Sequence, residues 1–288
     1  MQKPIPTEKH SCKIIGMPEL PEVETVRRGI APALVGRRLL GASVRQPSLR
    51  WPVPADLHDR LNGRRISAVE RRGKYLLIRL DRGALILHLG MSGSLRLVHP
   101  DCRVEKHDHV DIFPEGERIL RFRDPRRFGA ILLTDDPERH SLIAGLGIEP
   151  LSAEFDGDWL YALTRGRSGP IKPLLMNASL LVGVGNIYAN ESLFRAGIRP
   201  ETPAGQLSRP RCAQLAASIR STLEQAILAG GSSLRDFVDG HGKPGYFQQS
   251  YAVYGREGAP CLVCGATIQS IRQGNRATFF CRTCQKRR

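Results

Sequence analysis

No apolar run in this chain approaches the length of a membrane span. The first 16 residues are polar and carry no hydrophobic core of a signal peptide, so export and membrane insertion are both disfavoured. No segment repeats, which excludes a solenoid. Acidic residues are in short supply: 28 Asp and Glu face 43 Lys and Arg, a net charge of +15. That imbalance suits a polyanionic partner, nucleic acid first of all, and suits equally the arginine-rich surface of a protein from a GC-rich genome. Cysteine is sparse along most of the 288 residues. Cys12, Cys102 and Cys212 are scattered and read as free thiols; for the remaining four, disulfides, disfavoured in a cytoplasmic chain, and a redox pair are the alternatives to a metal site. A soluble, cytoplasmic, monomeric protein with two or more domains is expected.

The other four cysteines are grouped. Cys261-x2-Cys264-x16-Cys281-x2-Cys284 has the spacing of a four-thiolate zinc site. Each pair aims its sulfurs at one centre, and the segment between folds back as a hairpin. Ala266–Arg272 and Arg276–Phe280 are its expected strands, with Gln273-Gly274-Asn275 as the turn. With four protein ligands no position stays open for chemistry, so one structural Zn2+ is expected, holding Arg276 beside a rigid tip.

Met17-Pro-Glu-Leu-Pro-Glu-Val-Glu-Thr25 organises the rest. Pro21 fits the first turn of a helix running to about Leu34, and Glu22 and Glu24 suit its positive end. Leu20, Val23, Val26, Ile30 and Leu34 form an apolar stripe at helical spacing. Were Met17 the initiator and trimmed, Pro18 would carry a secondary amine just ahead of this helix. The dipole would lower its pKa, and an unprotonated amine is a Schiff-base nucleophile, with Glu19 adjacent to move protons. On these residues alone a capped helix with two incidental prolines is the plainer account.

Between Arg38 and Thr134 short apolar or alternating runs are punctuated by glycine. Arg65–Arg71, Lys74–Leu80, Ala84–Leu89, Ser94–Val98, His109–Phe113, Ile119–Arg123 and Ala130–Thr134 read as strands of a β-sandwich on which the first helix packs. Past Pro150 the pattern turns helical: Trp159–Thr164, Ile171–Met176, Ile187–Ala196 and Arg211–Ala229, the last with Ser208 as a candidate cap. Gly240–Gly245 reads as a glycine-rich loop. The fold class is α+β multidomain. The expected divisions are 1–16, a disordered extension or mis-assigned start; 17–150, the sandwich with its helix; 151–250, the helical part; and 251–288, the zinc hairpin.

Further motifs are weak alone. Gly183-Val-Gly-Asn186 precedes a helix and could bring backbone N–H groups to a phosphate. Asp124-Pro-Arg-Arg-Phe-Gly129 is a turn with two cations and an aromatic. Lys106-His-Asp-His-Val-Asp111 holds metal-capable side chains, but His107 and His109 alternate along a strand without a third ligand, so a structural role is favoured.

Together these motifs resemble the formamidopyrimidine-DNA glycosylase family, and the resemblance runs from Met17 to the C-terminus. It implies a helix–two-turns–helix element in the helical part. It also implies a bifunctional glycosylase and AP lyase that excises 8-oxoguanine and formamidopyrimidines from double-stranded DNA, with Pro18 as nucleophile and Glu19 as its acid–base partner. Lys74, Asn186 and Arg276 would hold phosphates, His107 would touch the DNA backbone, and Met91, Arg126 and Phe128 would fill the void left by the flipped nucleotide. Arg126 would read the orphaned cytosine. Ser232–Phe237 and Gly242–Phe247 resemble the lesion-covering region. The related endonuclease VIII type, acting on oxidised pyrimidines, shares the plan. If the extension is retained, Pro18 has no amine and a non-catalytic damage-binding protein is the alternative. Synthesis is therefore expected to begin at Met17.

Overall fold

The computed structural model describes residues 17–232 and 250–286. The expectations for Met1–Gly16, for the glycine-rich loop and for nearly all of the lesion-covering motifs lie outside these residues.

Helix α1 (Leu20–Leu34) carries proline in its first turn, as the missing N–H allows. All five residues of its apolar stripe are at most 1 % exposed. The stripe is divided between two cores. Val23, Val26, Ile30 and Leu34 pack into the sandwich, whereas Leu20 belongs to the core of the helical half. One helix thus fastens the two halves together.

The sandwich consists of two antiparallel four-stranded sheets. In one, β1 (Leu39–Val44) pairs with β6 (Asp108–Pro114), then β7 (Ile119–Arg123) and β5 (Ser94–Val98). In the other the order is β2 (Ile66–Arg72), β3 (Tyr75–Leu80), β4 (Ala84–His88) and β8 (Ala130–Thr134). Strand β4 does not alternate, because it is covered on both sides. Leu85 and Leu87 face the sandwich core, while Ile86 with Leu77 packs on Ile143. His107 lies outside β6, in the turn before it, so the two histidines do not alternate along one strand as expected.

Two short helices, α2 (Leu57–Leu61) and α3 (Ser141–Ala144), interrupt the sandwich half. The helical half comprises α4 (Gly157–Thr164), α5 (Ile171–Leu175), α6 (Asn186–Arg195) and α7 (Arg209–Leu228). Asp156 caps α4 through the Trp159 N–H at 2.7 Å. Ser208 stands at the N-cap of α7 but its side chain makes no capping bond; Pro210 in the first turn removes one of the N–H groups a cap would serve.

The C-terminal hairpin pairs β9 (Gln269–Gln273) with β10 (Arg276–Phe280). Its turn is two residues, Gly274 and Asn275, both with positive φ (52° and 61°), the conformation that matches strand twist. Residues Ala266–Ile268 lie ahead of the ladder rather than in it. They bond back across the first cysteine pair, Ala266 accepting from the Cys261 N–H at 2.8 Å. Ile268 and Phe279 join the core of α4, α6 and α7, so hairpin and helices share one interior.

Candidate active site

The site is assembled on the N-terminus of α6. The carboxylate of Glu19, from the segment before α1, accepts the backbone N–H of Gly185 at 2.7 Å, Ile187 at 2.9 Å and Tyr188 at 3.4 Å. This corrects the expectation that the N–H groups of the glycine turn are free for a phosphate. Three of them hold a carboxylate of the protein itself, which occupies the anion position that a helix N-terminus offers. Only glycine fits at 185: a Cβ there would stand 2.3 Å from Glu19 Cδ and 2.6 Å from Lys74 Nζ. Lys74 and Glu19 thus press on the same peptide unit from the sandwich side.

Burial pushes the Glu19 carboxyl up, against the pull of Lys74 and the three N–H donors. The Lys74 ammonium is pushed down by burial, opposed by Glu19 and reinforced by the Arg276 charge. Behind Glu19, the Glu22 carboxylate is fully buried. It accepts the Glu19 N–H at 2.8 Å, the Tyr188 hydroxyl at 2.6 Å and the Ser232 N–H at 2.8 Å. Burial raises it to about 7. Sequence reading offered Glu22 as a supporting carboxylate of the site or as a charge that suits the helix dipole; in the fold it is the clasp between α1, α6 and the end of the α7 segment.

Asn186 begins α6. Its amide oxygen accepts from Lys172 Nζ at 2.6 Å and its amide nitrogen donates to the Ala277 carbonyl at 3.0 Å. Lys172, which the motifs did not flag, is 1 % exposed and also donates to Thr278 Oγ1 at 2.6 Å. Burial and the nearby Arg276 charge lower it to about 7. Farther along α6, Asn190 accepts from the Phe279 N–H at 2.8 Å. Glu191 accepts three successive N–H groups of residues 252–254. One face of α6 therefore sets the position of the zinc hairpin and of Tyr254.

These elements enclose a cavity of about 150 Å3 lined by Met17, Glu19, Lys74, Met91, Asn186 and Arg276, together with Met176, Val184, Gly185 and Tyr254. Five of the expected site residues line it, and buried Pro18 lies between the lining residues Met17 and Glu19. Met176 and Tyr254 went unrecognised; a lone methionine and a tyrosine in a non-periodic stretch give no pattern to find. His88, at the end of β4, was also missed. Its ring stacks at 4.9 Å on Tyr75, and its Nδ1 accepts the Gly90 N–H at 3.0 Å. Burial, with help from the Lys74 and Arg50 charges, depresses it to about 4.

His107, Arg126 and Phe128 are not among the cavity-lining residues. Arg126 and Phe128 project from the turn 124–129, with the guanidinium 4.9 Å above the ring and Phe128 43 % exposed. His107 meets this turn through its backbone: its carbonyl accepts the Asp124 N–H at 3.0 Å.

At the hairpin base the four cysteine sulfurs lie within 4.8 Å of one another. Cys261 and Cys284 are 3.8 Å apart, Cys264 and Cys281 3.5 Å. Tetrahedral zinc with bonds of about 2.3 Å requires sulfurs roughly 3.8 Å apart, so the set fits a structural Zn2+ with no ligand missing.

Three family models cover most of the chain. Residues 17–131 match the formamidopyrimidine-DNA glycosylase N-terminal domain, and 146–238 match the H2TH domain of the same enzymes. Residues 258–287 match the zinc finger found in FPG and IleRS. The formamidopyrimidine-DNA glycosylase of Stutzerimonas stutzeri is 58 % identical over 270 residues, covering 94 % of this chain and all of that protein. A Lactococcus lactis FPG variant bound to Fapy-dG-containing DNA superposes with a TM-score of 0.86 at 37 % identity, over 93 % of this chain and all of the other. MutM bound to DNA with carbocyclic 8-oxo-G gives a TM-score of 0.84 at 38 % identity and likewise covers 93 % of this chain and all of the other. With its sandwich, its helical part and its four-cysteine hairpin all matched, the chain belongs to the formamidopyrimidine-DNA glycosylase family.

Proposed function

We propose that this protein removes oxidised purines, 8-oxoguanine and formamidopyrimidines, from double-stranded DNA, and then cleaves the strand as an AP lyase. One observation carries the reading. Met17, Glu19, Lys74, Met91, Asn186 and Arg276, from distant parts of the chain, line a single cavity. The relatives' names and the DNA in the two superposed structures support the same substrate class.

In this mechanism the damaged nucleotide leaves the stack and the nitrogen of Pro18, freed as a secondary amine, attacks C1′. The C1′–N bond to the protein forms as the glycosidic bond breaks and the base departs. Glu19 delivers a proton to the opening sugar ring; burial pushes its carboxyl up, which favours the protonated form. The resulting iminium acidifies the C2′ protons. Loss of one expels the 3′ phosphate, a second elimination expels the 5′ phosphate, and water releases the sugar remnant. Lys74, Asn186 and Arg276 hold phosphates around the gap. Phe128 and Met91 fill it, Arg126 reads the opposite cytosine, and His107 lies against the backbone. Zinc, when bound, supplies rigidity to the hairpin and no step of the reaction.

The parts at 17–150, 151–250 and 251–288 act as catalytic, helical and zinc-bearing divisions of one cytoplasmic protein. An amide nitrogen cannot form an iminium, because its lone pair is delocalised into the carbonyl. We therefore assign activity to the form beginning at Pro18. Borohydride should trap that form on DNA containing 8-oxoguanine opposite cytosine, and replacing Pro18 should abolish the adduct. An undiminished adduct would move the nucleophile to a lysine. Intact mass of active protein identifies the form. A chain still carrying residues 1–17 that binds damaged DNA without cutting would instead be a damage-binding protein.

A further inference from the structure

We propose that Ser92 and Asp124 are positioning residues that join the Met91 turn and the Arg126–Phe128 turn into one insertion unit. The inference rests on the void-filling reading of Met91, Arg126 and Phe128.

Asp124 is fully buried and Ser92 is 4 % exposed. The Ser92 hydroxyl donates to Asp124 Oδ1 at 2.7 Å, and Ser92 Oγ in turn accepts the Arg126 N–H at 3.2 Å. The other carboxylate oxygen accepts the Gly129 N–H at 2.7 Å. Asp124 therefore closes its own turn and reaches across to the neighbouring one. Its backbone is pinned as well: its N–H donates to the His107 carbonyl at 3.0 Å, and its carbonyl lies 2.8 Å from His109 Nε2. No ion pair to Asp124 is found among the described residues. A buried carboxylate served only by neutral donors is costly as mere glue, and a turn alone needs no such group.

The two main chains are pressed together where the bond crosses. A Cβ on Gly90 would stand 2.5 Å from Gly129 N and 2.5 Å from Phe128 C, and Gly90 has φ +66°. Arg127, between the two inserting side chains, holds φ 57°, a strained value for a residue with a Cβ. Strain of that kind persists only where surroundings enforce it. Here the Asp124 hydrogen bonds on either side enforce it, and Arg126 and Phe128 are thrown to the same side, stacked on one another. Met91 lines the cavity while Phe128 stands outside it, so the Ser92–Asp124 bond spans from the flipped-out nucleotide to the opposite strand. Wedging and reading of the partner base then depend on one geometry.

The test is single-turnover excision of 8-oxoguanine opposite cytosine and opposite adenine by Ser92→Ala protein beginning at Pro18. Asp124→Asn is the second variant, and thermal unfolding is followed alongside. Ser92→Ala should slow excision opposite cytosine about tenfold and lower the cytosine-to-adenine rate ratio at least about threefold, with the unfolding temperature little changed. In a Met91→Ala background the same substitution should cost clearly less in rate, because one of the two turns it aligns no longer carries an inserting side chain. Rates and ratio within about twofold of wild type for both Ser92→Ala and Asp124→Asn would overturn the proposal, as would a Ser92→Ala loss undiminished by Met91→Ala. If Met91→Ala, Arg126→Ala and Phe128→Ala are themselves wild-type in both readouts, the void-filling assignment fails and takes the coupling with it. Impaired single variants beside a silent Ser92→Ala refute the coupling alone.

Discussion

Two residues show how far chemistry at this site is set by what surrounds it. His88 is held neutral, burial first and then the Lys74 and Arg50 charges placing it near 4 against an ordinary 6.5. A base depressed in this way favours the folded state above the unfolded value and loses that contribution as pH falls through the folded one. Wild-type protein should therefore lose stability relative to His88→Gln between about pH 6.5 and 4, by on the order of 3 kcal/mol in all. Denaturant titrations of both proteins at pH 7 and pH 4.5 measure it; parallel losses would contradict the assignment. Gly185 is the complementary case, a residue whose value is the space it leaves. Gly185→Ala should displace Glu19 and Lys74 together, cutting borohydride trapping about a hundredfold or more, whereas DNA affinity, spread on the proposed reading over several phosphate contacts, should fall far less. Comparable losses in both measurements would mean that the turn, not the two side chains, had been disturbed. Neither residue was legible in the sequence as a participant. Glycines before a helix suggested an anion site, and the anion proved to be Glu19, more than 160 residues earlier in the chain. The resemblance pointed to Lys74, Asn186 and Arg276; Lys172, the buried partner that bonds Asn186, leaves no mark in local pattern because burial is a property of the whole fold.

At the scale of elements, period was the reliable signal. The stripe of α1 matched its helical period, and the strands β5, β7 and β8 matched their expected limits because short apolar runs there are bounded by glycine- and proline-bearing turns. Helices α2 and α3, of five and four residues, are too short to show a period at all. The zinc hairpin was legible from cysteine spacing, but its dependence on the helices was not. Phe279 and Ile268 complete the helical core, and β10 is tied to Asn186 and Asn190. Cys281→Ser should therefore do more than release zinc. Metal content should fall to near zero and DNA binding should be lost. The helical signal should melt at lower temperature while the sandwich retains its transition. A zinc-free variant with unaltered DNA affinity would separate the hairpin from the site.

The molecule as a whole is held by one helix shared between two interiors. Leu20 is fully buried in the helical core, and the stripe beyond it fills the sandwich. Leu20→Ala should destabilise the helical half by about 2–5 kcal/mol, the usual cost of an emptied leucine site. It should also loosen Glu19 from α6, so that cleavage declines at temperatures where both halves are still folded. Activity that persists up to the first melting transition would argue against this. The same clasp has a bearing on the protein's birth. Glu19, the proposed acid–base carboxylate, emerges early from the ribosome, but the amides that seat it come some 166 residues later, and the arginine at the hairpin tip later still. An unfinished or prematurely ended chain can carry the amine and the carboxylate yet has nothing to fix them against. On the proposed mechanism, a reagent able to sever the chromosome thereby stays inert until its last metal ligand has been made.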